Sequence, residues 1–333
     1  MNKIAILALI AISVSSVAIA ADKNDSSFVE NPPVFFDNER DIPLSSISMP
    51  IPPPGVIAPD FDIGQFDSDG FVNGGQPVQP GLSVQTGDIR LSGFRGFSKG
   101  WAAGLSLPWY RVKVANAIGG LPASGIAEGM GDISLLGKMN LRSNGDRNYL
   151  NLVGGFELPS GKDDSVFSQS NRVTNAYYSN DPQRMPISWQ PGSGSVNGYL
   201  GLVYGKRGRY ISYAATLLGK MFTPGDEDVK IGNILIFAGS GTYGINRNLA
   251  VSLGFILRSQ ADDDYPNAPS PGVGQPALAG TTTHGTTLFL DPSVRFRVLN
   301  RLIIGYGLRF PISKPNDGMV PDTRVFLIFY PEF

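Results

Sequence analysis

From about residue 80 onward, apolar and polar positions alternate with a period of two. In Thr287–Val298 one set holds Leu288, Leu290, Pro292, Val294, Phe296 and Val298. The other holds Thr287, Phe289, Asp291, Ser293, Arg295 and Arg297. In Leu302–Ile312, the residues Leu302, Ile304, Tyr306, Leu308, Phe310 and Ile312 oppose Gly305, Gly307 and Arg309. Residues 249–258 set Leu249, Val251, Leu253, Phe255 and Leu257 against Ala250, Ser252, Gly254, Ile256 and Arg258. Residues 132–142 set Ile133, Leu135, Met139 and Leu141 against Asp132, Ser134, Lys138, Asn140 and Arg142. Successive strand side chains point to opposite faces, so each segment predicts a two-faced strand. Noisier alternation runs through 101–110, 148–158, 196–204 and 209–222, while 82–93 and 231–243 are strand-like with no clear face. Scattered glycine argues against helices. The body of the chain is all-β.

Two architectures share this pattern: a soluble sandwich or barrel with its apolar face inward, and a membrane barrel with that face toward lipid. Three features favour the second. The segments outrun the ~5–6 residues of ordinary strands and reach the ~9–11 that a tilted membrane strand needs. The polar set (Gly, Ser, Asn and isolated Arg or Lys) suits a wet interior better than a second sheet. Connections also alternate in length. Arg95–Ser98, Ser143–Asp146, Lys206–Gly208, Gly244–Arg247 and Leu299–Asn300 are tight, whereas 115–129, 160–194, 223–229, 261–282 and 314–322 are longer. Short turns gathered at one end are a property of outer-membrane barrels.

The segments 82–93, 100–114, 131–142, 148–159, 196–205, 210–222, 231–243, 248–259, 284–298, 302–313 and 322–333 are clear strands. Single-chain barrels of this kind have an even number, and Val56–Phe71 is the candidate for the missing one. The expectation is an antiparallel transmembrane up-and-down β-barrel of twelve strands, with ten as the alternative. Its last strand carries Thr323, Val325, Leu327, Phe329, Pro331 and Phe333 on one face and ends the sequence on Phe333. Phe329, Tyr330, Phe333, Trp101, Trp109, Tyr149, Tyr204, Tyr210 and Tyr306 are candidates for aromatic girdles at the two interfaces.

Composition sharpens the compartment. Met1-Asn2-Lys3 followed by the uncharged Ile4–Ala20 and a small-x-small Ala18-Ile19-Ala20 reads as a signal peptide over 1–20. Eight prolines between Pro32 and Pro59 make 21–55 an N-terminal arm, mobile or plugging, because Pro fixes φ and cannot donate to a ladder. Residues 56–333 form the barrel. The 27 Lys plus Arg against 28 Asp plus Glu remove any case for electrostatic attraction to nucleic acid. No Cys and a single His exclude thiolate chemistry, a disulfide framework and a His-rich metal site.

Three stretches, Gly100–Pro108 (GWAAGLSLP), Gly129–Lys138 (GMGDISLLGK) and Gly154–Gly161 (GGFELPSG), resemble in order and spacing the meta-pathway phenol-degradation family of outer-membrane proteins. There a gly-x-gly-asp opens one strand and the next ends in leu-pro-thr-gly; Ser160 stands here for the Thr. The resemblance implies an outer-membrane barrel linked to uptake of aromatic or other hydrophobic compounds, and it carries no catalytic residues. The closing Phe333 likewise resembles the terminal signature read by the barrel assembly machinery, with Pro331 where that pattern has an aromatic or aliphatic residue.

If the apolar face looks to lipid, then Asp132, Lys138, Arg142, Glu157, Arg258, Asp291, Arg295, Arg297, Arg309 and Arg324 face the lumen. Arg295, Arg297, Arg309 and Arg324, with Asp291 as counter-charge, form either a strip that favours anionic solutes or an ion-pair network that fills a narrow barrel. Asp262, Asp263 and Asp264 are a weak candidate for a divalent ion or for bridging lipopolysaccharide phosphates; solvated loop acid is the simpler reading. His284 lacks a marked nucleophile beside it, and no enzyme activity or cofactor is expected. Two functions remain open at this point: a passive channel for small molecules, aromatic or anionic hydrophobic compounds among them, and a non-conducting barrel acting through its long outer loops. The expected partners are outer-membrane lipid and lipopolysaccharide, the assembly machinery through the last strand, and a small-molecule solute.

Overall fold

The computed structural model describes residues 50–331 apart from 74–75, 78–82, 99, 116, 119–120, 123, 145–147, 168–183, 186, 209, 226–227, 265–284, 299–301 and 314–317. The signal segment, most of the arm, His284 and Phe333 lie outside the described residues.

In chain order the strands are β1 (Ile57–Asn73), β2 (Gln76–Pro77), β3 (Ser83–Ser98), β4 (Trp101–Ala115), β5 (Ala117–Ile118), β6 (Leu121–Pro122), β7 (Gly125–Met130) and β8 (Ile133–Asn144). They continue with β9 (Asn148–Leu158), β10 (Asn197–Lys206), β11 (Ile211–Phe222), β12 (Ile234–Asn246), β13 (Leu249–Gln260), β14 (Gly285–Val298), β15 (Leu302–Pro311) and β16 (Gly318–Pro331). Each long strand pairs antiparallel with its neighbour, and β16 pairs back onto β1. The sheet is closed. β7 and β8 pair with successive halves of β4, β7 with Trp109–Val114 and β8 with Trp101–Ser106. They act as one wall strand interrupted at Gly131-Asp132, which makes the barrel twelve-stranded.

Burial along the strands decides which way the apolar set looks. Ile89, Leu91, Leu105, Leu135, Leu200, Leu217, Leu253 and Phe255 are exposed on the outside. Asp88, Arg90, Lys138, Glu157, Lys220, Asp291 and Arg324 are buried on the inside. A charge on the lipid face costs about 2–4 kcal/mol at the bilayer midplane, which is the energetic reason for this sorting.

The tight connections β3–β4, β8–β9, β10–β11, β12–β13 and β14–β15 share one end, which is periplasmic by the convention of these barrels. Outward aromatics ring it: Phe97 stacks on Trp101 at 4.5 Å and Tyr204 lies 6.2 Å from Tyr213. Two of the girdle candidates belong elsewhere. Tyr149 and Tyr330 are buried inside; the Tyr149 ring lies where a Cβ on Gly205 would be. Pro331 pairs with Leu302 of β15 and lies beyond the last β16–β1 pair, Phe61 with Phe329. Its missing donor therefore costs the closing seam nothing.

The arm's last residues enter the barrel at this same end. Pro54 bridges to Gly96, Gly55 N–H donates to the Gly96 carbonyl at 2.8 Å, and Gly96 N–H donates to Val56 at 3.1 Å. Gly96 is needed here, since a Cβ would fall 2.2 Å from the Pro52 carbonyl oxygen. Ile51 packs on the inward cluster that contains Phe94, Ala102 and Leu136.

Candidate functional site: the inner wall and its outer latch

The inner wall is divided by character. On β9–β13 it carries an apolar band, Val153, Val203, Ala214, Leu218, Ile236, Ala238 and Ile256 buried in one cluster with Phe289 of β14 beside them, among buried polar groups that include Glu157, Lys220 and Arg258. On β14–β16, β1 and β3 it is charged: Asp291, Arg295, Arg309, Arg324, Asp60, Asp62, Asp88 and Arg90 are all buried.

Of the ten residues proposed from sequence as lumen-facing, Asp132, Lys138, Glu157, Arg258, Asp291, Arg295, Arg309 and Arg324 are buried on the inner face. Arg297 is half-buried near the periplasmic end of β14. Arg142 is the exception. A bulge between Asn140 and Arg142 breaks the alternation, and Arg142 is exposed beside the turn.

The charges are largely neutralised in place. Arg309 grips Asp291 with two prongs, Nε to Oδ1 at 2.9 Å and Nη2 to Oδ2 at 2.8 Å. Arg324 Nη2 reaches both oxygens of Asp88 at 2.9 Å, and Lys220 Nζ meets Glu157 at 2.6 Å. Arg90 donates to the Tyr110 hydroxyl at 3.0 Å, Arg258 to Gln260, and the Lys138 ammonium sits 4.0 Å from the Phe94 ring centre. The ion-pair network is therefore the better description of Arg309 and Arg324 than an unpaired anion-selective strip. The charged side chains of the inner face are thus buried and largely paired.

Arg324 reaches Asp88 by crossing β1. Its guanidinium lies over Gly64, where an added Cβ would be 1.6 Å from Nη2. Gly64 pairs with Phe326 on one side and Asp88 on the other, so one side chain clasps three strands over the closing seam. The sequence held the signal: Asp60, Asp62 and Gly64 alternate with Phe61 and Ile63, and Asp88, Arg90 and Ser92 with Ile89 and Leu91.

At the outer end, the described parts of the connection from β9 to β10, 159–167 and 187–196 with Arg184 and Met185, turn buried side chains inward. Phe167, Met185, Ile187, Trp189 and Gln190 are buried, and Phe167 and Met185 pack over the inward side of Gly125. Gln190 pins the segment by accepting from Ser165 N–H and donating to the Ser165 and Met185 carbonyls, each at 2.9 Å. Asp132, at the break between β7 and β8, holds both ends of the connection. Its Oδ1 accepts Gly161 N–H at 2.8 Å, and its Oδ2 accepts Ser193 N–H at 2.7 Å and Ser193 Oγ–H at 2.5 Å. Ser160 Oγ accepts Ile133 N–H at 2.9 Å. The glycines make this closeness possible: a Cβ on Gly161 would lie 2.6 Å from Gly192 Cα and 2.7 Å from the Gly131 carbonyl carbon. The two motifs that carry the family resemblance, GMGD and LPSG, are thus the halves of one latch. Asn197 extends it, donating to Glu157 and to Ser193 at 2.9 Å each.

Asp263 accepts Gly232 N–H at 2.7 Å, and Asp264 exchanges two backbone bonds with Lys230. This cluster ties the β11–β12 and β13–β14 connections together. Among the described residues no group of three His, Cys, Asp or Glu converges as a metal site.

A closed antiparallel barrel with apolar residues facing out, charges facing in and short turns at one end defines a bacterial outer-membrane β-barrel protein. Among solved structures, the chain is similar to the COG4313 outer membrane channel from Pseudomonas putida F1, at 14% identity over 85% of this chain and 97% of that one, with a TM-score of 0.63. Weaker likenesses include the CymD monoaromatic hydrocarbon channel (8% identity, 94% of each chain, TM-score 0.45). The NanC porin is a third (8% identity, 82% of this chain and 100% of that one, TM-score 0.44). At such identities the likeness is one of fold. No family model and no curated protein matches the chain.

Proposed function

We propose that this protein is a passive outer-membrane channel for small amphipathic organic molecules, hydrophobic or aromatic bodies that carry a carboxylate. The apolar band on β9–β13, lying in the same wall as buried arginines, supports this most directly. A solute whose ring slides along Val203, Leu218, Ile236 and Ile256 while its carboxylate passes the polar, ion-paired side of β14–β16 meets both of its needs at once. The resemblance to the meta-pathway phenol-degradation family points to the same solute class.

The buried inner wall also means that the bore must open. The arm is the candidate stopper, because its last residues are tied to Gly96 and Ile51 rests on the inward cluster. Residues 22–49 hold six acids, two bases, Phe28, Phe35 and Phe36, a composition that suits a wall of arginines and aliphatics.

Planar-bilayer recording of the mature chain and of a deletion of residues 22–49 tests this reading. The mature chain is expected to give small, intermittent currents and the deletion steady ohmic ones several-fold larger, reduced by millimolar benzoate. Silence from both forms would make the barrel a non-conducting surface protein.

A further inference from the structure

The outer surface carries a hollow that the channel reading does not use. On β4, Trp109, Arg111 and Lys113 all point outward and are exposed. Across the ladders Arg111 stands opposite Gly87 of β3 and Glu128 of β7. Gly87 faces outward without a side chain, and a Cβ there would meet nothing nearer than the Gly64 oxygen at 4.0 Å. The result is a depression of about 730 Å³ floored by β1, β3 and β16, with Ile63, Ile89, Trp109 and Leu327 on its lower walls and Arg111 and Lys113 at its upper rim.

Position along the strand gives this depression its depth in the membrane. β4 runs from a tight periplasmic turn toward the outer end, so Trp109, Arg111 and Lys113 climb in that order, about 6.8 Å apart along the strand. Trp sits at headgroup level in such barrels, and the two cations therefore stand in the headgroup zone of the outer leaflet. Elsewhere in the described strands, no outer half carries two outward basic residues.

We propose that this hollow is a binding site for one lipopolysaccharide molecule of the outer leaflet. The glycolipid phosphate rests on Arg111 and Lys113, and an acyl chain fills the space over Gly87 against Ile89, Ile63 and Leu327. Glu128 engages Arg111 through Nε at 3.4 Å; phosphate recognition uses the terminal guanidinium nitrogens and the Lys113 ammonium. Guanidinium and phosphate pair strongly, and basic residues near a membrane surface attract anionic headgroups.

The site is independent of whether the barrel conducts. It is tested by native mass spectrometry of the mature protein in mild detergent, titrated with purified deep-rough lipopolysaccharide or with phosphatidylglycerol. Wild type is expected to hold one lipopolysaccharide. The R111A/K113A variant should lose it at least tenfold through the phosphate, and Gly87→Leu should lose it similarly by filling the hollow while leaving the charges in place. Unchanged heat-modifiable migration on gels keeps both variants folded for the comparison. Equal lipopolysaccharide occupancy in wild type and both variants, or phosphatidylglycerol binding as tightly as lipopolysaccharide, would overturn the proposal.

Discussion

Gly64→Leu is expected to destabilise the refolded barrel by about 3–5 kcal/mol, the range for stranding one partner of a buried ion pair. The new Cβ would occupy the place of the Arg324 guanidinium, 1.6 Å from Nη2 and 2.2 Å from Cζ. Arg324 must then leave Asp88, and both are buried. Urea unfolding in detergent micelles, followed by tryptophan fluorescence, should show a much lower midpoint at an unchanged slope. The companion Gly87→Leu lies on the outward side of the same ladder, and its midpoint should move little. Adding Gly64→Leu to a barrel that already carries Arg324→Ala should cost far less than in wild type, because the clash and the pair are one interaction. An unmoved midpoint for Gly64→Leu, or full additivity in that cycle, would sink the clasp.

The second large effect belongs to Asp132→Ala. One carboxylate accepts three bonds from the two ends of the β9–β10 connection. Hydrogen bonds to a charged group contribute roughly 1.5–3 kcal/mol each, so their loss should free the inward-folded segment while the barrel stays closed. Limited proteolysis is the direct measurement: cleavage within 160–194 should accelerate tenfold or more, with heat-modifiable migration retained. Asp132→Asn keeps one acceptor oxygen and should fall between. If Asp132→Ala resists protease as wild type does, the connection is held by its buried Trp189 and Met185, and the latch is secondary.

What the sequence revealed follows from where alternation is strict. β14 and β15 alternate without interruption, so Asp291, Arg295 and Arg309 fall on the inner face by count and Asp291 stands out as a counter-charge to the arginines, while the structure alone shows that Arg309 is the one it binds. Arg142 departs from the count because a bulge between Asn140 and Arg142 resets it and leaves no mark in residue type. Asp88 and Asp60 do not declare their face in the sequence, because Gly87, Gly93 and Pro59 interrupt the apolar half of their strands. Tyr149 and Tyr330 show that an aromatic side chain does not declare its face, since a glycine on the neighbouring strand can seat it inside. The outer latch was only half legible. The GMGD and LPSG motifs stand out, but Ser193 lies in an aperiodic stretch far along the chain, and inward folding of Ile187 and Trp189 has no period to betray it.

Closure between β1 and β16 also fixes the order in which the molecule is built. Phe61 meets Phe329, so the first wall strand waits, with one edge unsatisfied, until nearly the whole polypeptide has crossed into the periplasm. Joining such distant segments is slow, and edges left open invite wrong pairings. A two-residue slip at this last stitch would keep every apolar side chain facing outward, and periodicity alone would not detect it. It would, however, carry Arg324 past the notch at Gly64 and away from Asp88. The clasp thus works as a proofreading device, accepting a single alignment of the last stitch when hydrophobicity would tolerate several.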